Sequence, residues 1–449
     1  MRIGFGRQDI TPRVGVDLCG FGPFLCRHSI AVRDRLWARA LAVEKDGVTA
    51  VVVACDLVGV TLAMTARARV LVQRETGLAP ERLMICCSHT HSGPATGTYS
   101  GWGEPDAPYC ETLPARIARA VLQALGDLAE GTFGYAEAPC EGIGLNREYD
   151  QDAPPLADVL KDSWRPAKPE LTDTVCRVLT VRGENGALRG FVSYFGCHPV
   201  TCCQTTRYIH GDYCGVATGM LERENPGSTG LFIQGAQGDV NSCVVHKPEA
   251  EALLALDVIA ARYANAVRRG LQQAAPLAVN RVATHCERVV FPRKPWGAAE
   301  LRSRLEACEQ FLHRLDAHDD FSEGNRSVRM EMVYALALRK MLARAERGED
   351  LADPTEIMGL RLGPLSLLGS GFETMQAIKN DVVRAARGPH TWVAGLTNDT
   401  VGYAPDHTVA ARGGYAADMV PLILGTLPYV GVHDELVAAL LRTDRALAG

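Results

Sequence analysis

The first half of the chain repeats one pattern: a short apolar run rich in β-branched residues, a stretch with helical period, then another apolar run. Leu36 to Val43 and Thr49 to Cys55 are strand-like and flank the turn Lys45-Asp46-Gly47. A helical stretch from about Leu62 to Arg74 leads into the strand-like Leu83 to Cys87, and a helix from about Tyr109 to Leu128 follows. The pattern resumes with Val175–Val181, Arg189–Phe195, a helix near Gly215–Glu224, the run Thr229–Gln234 and a long helix from about Pro248 to Ala274. Strands and helices alternating at this spacing predict an α/β fold, a mixed central β-sheet flanked by helices.

From about Trp296 to Glu349 the composition turns Arg-, Glu-, Leu- and Ala-rich with a helical period. Its interruption at His318-Asp319-Asp320-Phe321-Ser322-Glu323-Gly324-Asn325 predicts a helical hairpin inserted into the fold, a lid or an oligomer contact. Strands return at Met358–Leu368 and Thr391–Leu396, and a helix from His433 to Ala448 ends the chain. Length alone, 449 residues, suggests two or three domains; the pattern is read instead as one domain over 1–449 carrying the 296–349 hairpin.

Charge and composition exclude several classes. A formal net charge of −5 with scattered basic residues gives no footprint for nucleic acid. No apolar stretch approaches a membrane span, so stable membrane insertion is not expected. The opening Met1 to Ile10 lacks the apolar core of a secretory signal. Fifteen cysteines, an odd number with no CxxC pair, suit reduced thiols in a cytoplasmic protein better than a disulfide scaffold.

Polar residues recur where the apolar strands stop, which is where α/β sheets place their sites. Ser88-His89-Thr90-His91-Ser92-Gly93-Pro94 follows the run 83–87, and Cys197-His198-Pro199 follows 190–195. Gly238-Asp239-Val240-Asn241 comes after 230–234, Gly371-Phe372-Glu373-Thr374 after 365–368, and Asn398-Asp399-Thr400-Val401-Gly402-Tyr403 after 391–396. Each alone is as well explained by a structural hydrogen bond. Together, imidazole nitrogens and carboxylate oxygens are the donors that zinc and other borderline divalent metals prefer, and they point to a hydrolytic metal site.

These segments carry a resemblance. The chain resembles the catalytic N-terminal domain of the neutral (non-lysosomal) ceramidase family, zinc-dependent amidases acting on N-acyl sphingoid bases. Gly4-Phe5-Gly6-Arg7-Gln8-Asp9-Ile10-Thr11 is similar to the family's "G-x-G-x-x-D-I-T", and Leu36-Trp37-Ala38-Arg39-Ala40 to its "L-x-A-R-A". Cys55-Asp56-Leu57 resembles its "x-D-L" strand end, Ser88 to Pro94 its "T-H-T-H-S-G-P", Asn146-Arg147 its "N-R" and Gly238-Asp239-Val240 its "G-D-V-S". The likeness runs over nearly the whole chain, as in a short homologue without the family's C-terminal immunoglobulin-like domain.

The resemblance implies zinc held by His89, His198, Glu373 and Tyr403, with His91 beside it as an acid/base or carbonyl-polarising group. It implies Arg147 near the scissile group, and Tyr415, twelve residues beyond Tyr403, as an oxyanion donor. Three departures stand out. Asn241 replaces the serine after Gly-Asp-Val, so covalent catalysis through that serine is not expected and Asn241 would act through its backbone or amide. The glutamate motif reads Gly-Phe-Glu-Thr rather than "G-E-x-T", and Thr400 stands where many members have tyrosine. Asp212 either orients a ligand histidine or caps the following helix, and His210 and His246 are alternative ligands or structural residues.

The expected function is hydrolysis of an amide (N-acyl) bond of a small molecule by metal-activated water. The alternatives are a metal-dependent esterase or lactonase, an amide-forming cyclase in a biosynthetic pathway, and a non-catalytic binding protein. The expected partner is a small molecule with an amide or ester bond; homo-oligomerisation is left open, with the 296–349 hairpin as the contact surface.

Overall fold

The computed structural model describes residues 1–149, 154–314 and 326–448. One large sheet runs, in spatial order, Thr229–Gln234, Leu188–Phe195, Val175–Gly183, Ala129–Pro139, Arg2–Asp9, Trp37–Lys45, Val48–Cys55 and Leu83–Cys87. The outermost pair at each end is parallel and the pairs between are antiparallel. A second sheet is built from Val282–Val289, Thr355–Leu362, Leu365–Ser370 and His390–Ala394. The expected α/β class with a mixed sheet flanked by helices is therefore what the chain adopts.

Local chemistry explains the elements. Asp46 and Gly47 both take positive φ, 50° and 76°, the conformation a tight hairpin turn needs between strands 37–45 and 48–55. Helix Leu62–Thr76 starts on Thr61, whose hydroxyl accepts from the Met64 amide, and stops on Gly77 in the left-handed region. Helix Ala107–Gly126 lies almost against strand Arg2–Asp9: a Cβ on Gly4 or Gly6 would come within 2.1 or 2.2 Å of the Ala124 or Ala120 carbonyl. The strand expected across Met358–Leu368 is two, Thr355–Leu362 and Leu365–Ser370, because Gly363 at φ +56° and Pro364 turn the chain between them.

The two sheets stack through Leu41, Val52, Val192 and Ile233 on one side and Leu360, Leu365, Leu367 and Trp392 on the other. Helices 62–76 and 107–126 cover the outer face of the large sheet at one end, and helices Asp212–Glu224 and Glu249–Gln273 at the other. Helices Gln376–Ala385 and Val432–Ala448 cover the second sheet. The order is helix, sheet, sheet, helix. Hairpin helices Ala298–Leu312 and Arg326–Glu346 form as expected from the periodicity; the interruption at 318–325 lies outside the described residues.

One short segment draws the distant parts of the sequence together. Gly395 to Asn398 donates to Gln234 on one side and to Ile85 on the other, and the Leu396 carbonyl accepts from Cys87. The same segment donates to Ser370 and Phe372. Strand ends that follow residues 87, 234 and 370 thus meet in one place.

Candidate active site

His89 is 3% exposed and sits at φ +70°, turned sharply out of strand Leu83–Cys87. Its Nδ1 lies 2.6 Å from the Val58 carbonyl, which can only accept, so Nδ1 carries the hydrogen and Nε2 faces inward with its lone pair. His198, 1% exposed, repeats the arrangement with Nδ1 3.4 Å from the Gln237 carbonyl. Both Nε2 atoms converge on Glu373 Oε2, at 3.3 and 3.7 Å.

Glu373 is 1% exposed, on the short strand Phe372–Thr374. It lies directly opposite Tyr403 in a two-stranded parallel ladder with Gly402–Ala404. The Tyr99 hydroxyl donates to its Oε1 at 2.8 Å, while Oε2 has no hydrogen-bond donor. Burial opposes the carboxylate charge, but positive charge at His89 (a proton when no metal is bound), the Tyr99 hydrogen bond and the Arg147 charge outweigh it and hold the Glu373 pKa below the usual range.

Three acceptor atoms facing one point without a donor call for a cation. A proton satisfies one pair; a metal ion satisfies all three. A tetrahedral zinc with arms of about 2.0–2.1 Å separates its ligands by roughly 3.3–3.4 Å, close to what is seen here. The two Nδ1–H bonds to carbonyls are also the outer-shell contacts that fix a ligand histidine's tautomer. The residues fit a borderline divalent metal.

His91 completes a cluster whose ligand-type nitrogens, with those of His89 and His198, all lie within 4.8 Å of one another. Its Nδ1 is buried and has no partner. Burial first, then the neighbouring His89, pushes the pKa of His91 and of His198 well below the ordinary imidazole value. The Arg147 guanidinium lies 4.9 Å from the Tyr403 ring centre, and its Nη2 donates to the Gly238 carbonyl. Tyr403 is buried; Tyr415, 6.1 Å away ring to ring, is 39% exposed. Asn241 pairs with Leu145 in a small ladder and lines the same cavity as His91, Arg147, His198, Tyr403 and Tyr415. Six of the eight expected site residues therefore line this cavity, and His89 and Glu373 line an adjacent one that shares His91, Tyr403 and Tyr415 with it.

The other residues singled out in the sequence fall elsewhere. Asp212 touches neither His89 nor His198: its carboxylate accepts from the Thr201 and Tyr213 amides at the helix start. His210 sits in a separate buried cluster with Cys202 and Asp212. Its Nδ1 accepts from the Asp212 amide, so its Nε2 carries the hydrogen and faces Cys202 Sγ at 3.5 Å. That tautomer offers no free lone pair to a metal. His246 lies at the rim of the active-site cavity, 3.4 Å from Gln204. Asp239 acts as a clamp, accepting from Asn146 and from the Gln376 amide and so joining the Asn-Arg segment to the chain beyond Glu373.

Three contributors escape sequence reasoning. Tyr99 bonds Glu373 although no strand end or motif marks it. Gly20, at φ +102°, lies so near His91 that a Cβ would stand 2.4 Å from the imidazole Cγ. Arg27 is 3% exposed and donates to the carbonyls of Cys19, His91 and Thr206, pinning three loops behind His91.

A larger surface cavity, about 650 Å³, lies away from this centre. Three of its arginines are spent on carboxylates: Arg39 on Asp56 and Glu222, Arg33 on Asp34 and Asp257, Arg35 on Asp9. It holds no histidine among its lining residues.

Comparison with known proteins agrees in fold and in region. Residues 1–245 match the model of the family described as neutral/alkaline non-lysosomal ceramidase, N-terminal. The neutral ceramidase of Pseudomonas aeruginosa is 26% identical over 264 residues, 55% of this chain but only 38% of that protein's length. The crystal structure of neutral ceramidase from Pseudomonas aeruginosa superposes with a TM-score of 0.73 at 19% identity, over 99% of this chain and 75% of that one. A ceramidase complexed with C2 gives 0.75, also at 19% identity, over 100% and 75%.

Proposed function

The chain belongs to the neutral/alkaline non-lysosomal ceramidase family through its N-terminal region, and from that premise we propose that it hydrolyses an amide (N-acyl) bond of a small molecule with zinc as cofactor. The observation that carries this is the convergence of His89 Nε2, His198 Nε2 and the donorless Glu373 Oε2. His89, His198 and Glu373 would hold the ion, with Tyr403 opposite Glu373 as the fourth candidate. When bound, such an ion supplies Lewis-acid polarisation of a carbonyl and acidifies water toward neutral pH.

The chain's own residues supply the rest. Water adds across the acyl C–N bond: a C–O bond forms, the C–N bond breaks, and a proton from water ends on the departing nitrogen. His91 is suited to move that proton, since burial keeps its imidazole neutral and its Nδ1 is unengaged. Arg147 and Tyr415 flank the cavity as donors for the oxygen that gains charge, and removing one such donor typically lowers the rate by about 10²–10³. Asn241, in place of a serine, offers an amide to the substrate and no nucleophile.

Elemental analysis of the purified protein, paired with hydrolysis of N-acyl amides, tests the proposal. About one zinc per chain, and amide turnover abolished by chelation and restored by zinc, is expected. Turnover that persists without metal would overturn it.

A further inference from the structure

Two glycines in a row stand immediately before Tyr415. Gly413 has φ 74° and ψ −159°, and Gly414 has φ 94° and ψ −148°, a region that is essentially glycine's alone. They join helix His407–Arg412 to a single π-type turn, Tyr415–Met419. Backbone this permissive sets no direction of its own, so something else must fix where the tyrosine points. The Tyr415 ring stands 6.1 Å from that of Tyr403 and borders both cavities beside the histidines. Among the described residues no donor or acceptor holds its hydroxyl.

Asp418 supplies the constraint. Its Oδ2 accepts from the Gly414 amide at 2.8 Å, and its own amide donates to the Gly414 carbonyl, also at 2.8 Å. The two bonds close a ring that contains Tyr415. A Cβ on Gly413 would stand 2.7 Å from Oδ2, so the carboxylate also fills the space that a side chain there would need. Oδ1 accepts from Lys294 Nζ at 2.8 Å. Lys294 is itself anchored just before helix Ala298–Leu312, its amide donating to the Pro428 carbonyl. Burial opposes the charge on Asp418, but Lys294 and the Gly414 amide outweigh it and hold its pKa below the usual carboxylate range. The acceptor is therefore ionised at neutral pH, and a hydrogen bond to a charged acceptor is stronger than one to a neutral group.

We propose that Asp418, held by Lys294, is a positioning residue for Tyr415: it locks the Gly413-Gly414 turn so that the phenol hydroxyl meets the oxygen that gains charge. This rests on the amide-hydrolase reading, in which Tyr415 donates to that oxygen. Asp418 lines neither cavity and acts only through the turn.

A double-mutant cycle on the zinc-loaded full-length protein tests it, with N-octanoylsphingosine as the probe and zinc content measured alongside. Asp418→Ala should lower kcat by about 10²-fold and leave KM within about threefold, as when a reacting group is misplaced by an ångström. Asp418→Asn, which can still accept from the Gly414 amide, should recover most of that loss. In a Tyr415→Phe background Asp418→Ala should cost nothing further, because the hydroxyl it positions is already gone. The full loss in that background, or wild-type kcat in Asp418→Ala, overturns the proposal. If wild type does not cleave the probe, amide hydrolysis is what fails, and the ring is followed directly by fluorine NMR with 3-fluorotyrosine at position 415. One resonance in wild type and Asp418→Asn, displaced or split in Asp418→Ala, sustains the proposal; an unmoved resonance overturns it. Should Asp418→Ala not fold, Asp418→Glu, whose carboxylate stands one methylene further out, is read in the same way.

Discussion

The Tyr99 hydroxyl donates a 2.8 Å hydrogen bond to Glu373 Oε1 and leaves Oε2 to face the two histidines. The bond orients the carboxylate and helps keep it ionised, as an outer-shell donor does for a metal ligand. Tyr99→Phe removes the donor while preserving the ring. Metal affinity should fall by about 10–100-fold, measured by competition with a chelating dye. Unchanged affinity would show that Glu373 needs no such support.

His89→Ala should remove both metal and amide turnover while circular dichroism stays that of the wild type. The substitution leaves the Val58 carbonyl without its donor, a cost of about 1–3 kcal/mol that a fold of this size can absorb. The measurement is zinc per chain by elemental analysis. Full occupancy in the variant would remove His89 from the ligand set.

Much of this arrangement was legible in the residues because it follows from local pattern. The run 83–87 is a strand as read, and the histidines after it turn inward because a strand's carboxyl end opens onto the site. Strands Arg2–Asp9 and Ala129–Pro139 were not legible: each carries two glycines, the second is rich in alanine and glutamate, and their β-structure comes from pairing rather than propensity. Tyr99 and Arg27 were hidden for a different reason. Both act across long sequence separations, Tyr99 on Glu373 and Arg27 on Thr206, and no spacing rule links such pairs. Asp212 stayed open between two roles because its distance from the histidines depends on how the Thr201 loop folds back onto it.

Away from the metal centre, His210 should give stability a measurable dependence on pH. Burial, followed by the charges of Arg33 and Arg27, lowers its pKa from 6.5 to about 3. Between those values the unfolded chain binds the extra proton and the folded one does not, so stability falls as pH falls, by about 1.4 kcal/mol per unit. Asp212, raised by burial from 3.8 to about 6, acts in the opposite sense over its own range. His210→Gln isolates the first contribution, since a glutamine can accept from the Asp212 amide and donate toward Cys202. Urea unfolding from pH 7 to 4 should show wild type losing stability more steeply than the variant. Parallel curves would mean that His210 is protonated in the native state.

Gly20 tests how tightly His91 must be held. Two independent constraints require glycine there: φ of +102°, which a side chain rarely adopts, and the His91 ring, whose Cγ, Cβ and Nδ1 would lie 2.4 to 2.6 Å from an added Cβ. The ring cannot yield freely, because Arg27 fixes the His91 carbonyl from behind and Phe21 meets its edge at 5.2 Å. Gly20→Ala should therefore destabilise the protein by about 1–3 kcal/mol through backbone strain and displace the imidazole. His89, His198 and Glu373 are untouched, so zinc content should remain near that of the wild type while turnover drops by about 10²-fold, the usual penalty for misplacing a reacting group by an ångström. Thermal unfolding, zinc content and kcat measured on one preparation separate these effects. Full turnover in a Gly20→Ala protein that retains zinc would show that the reaction does not depend on where His91 stands.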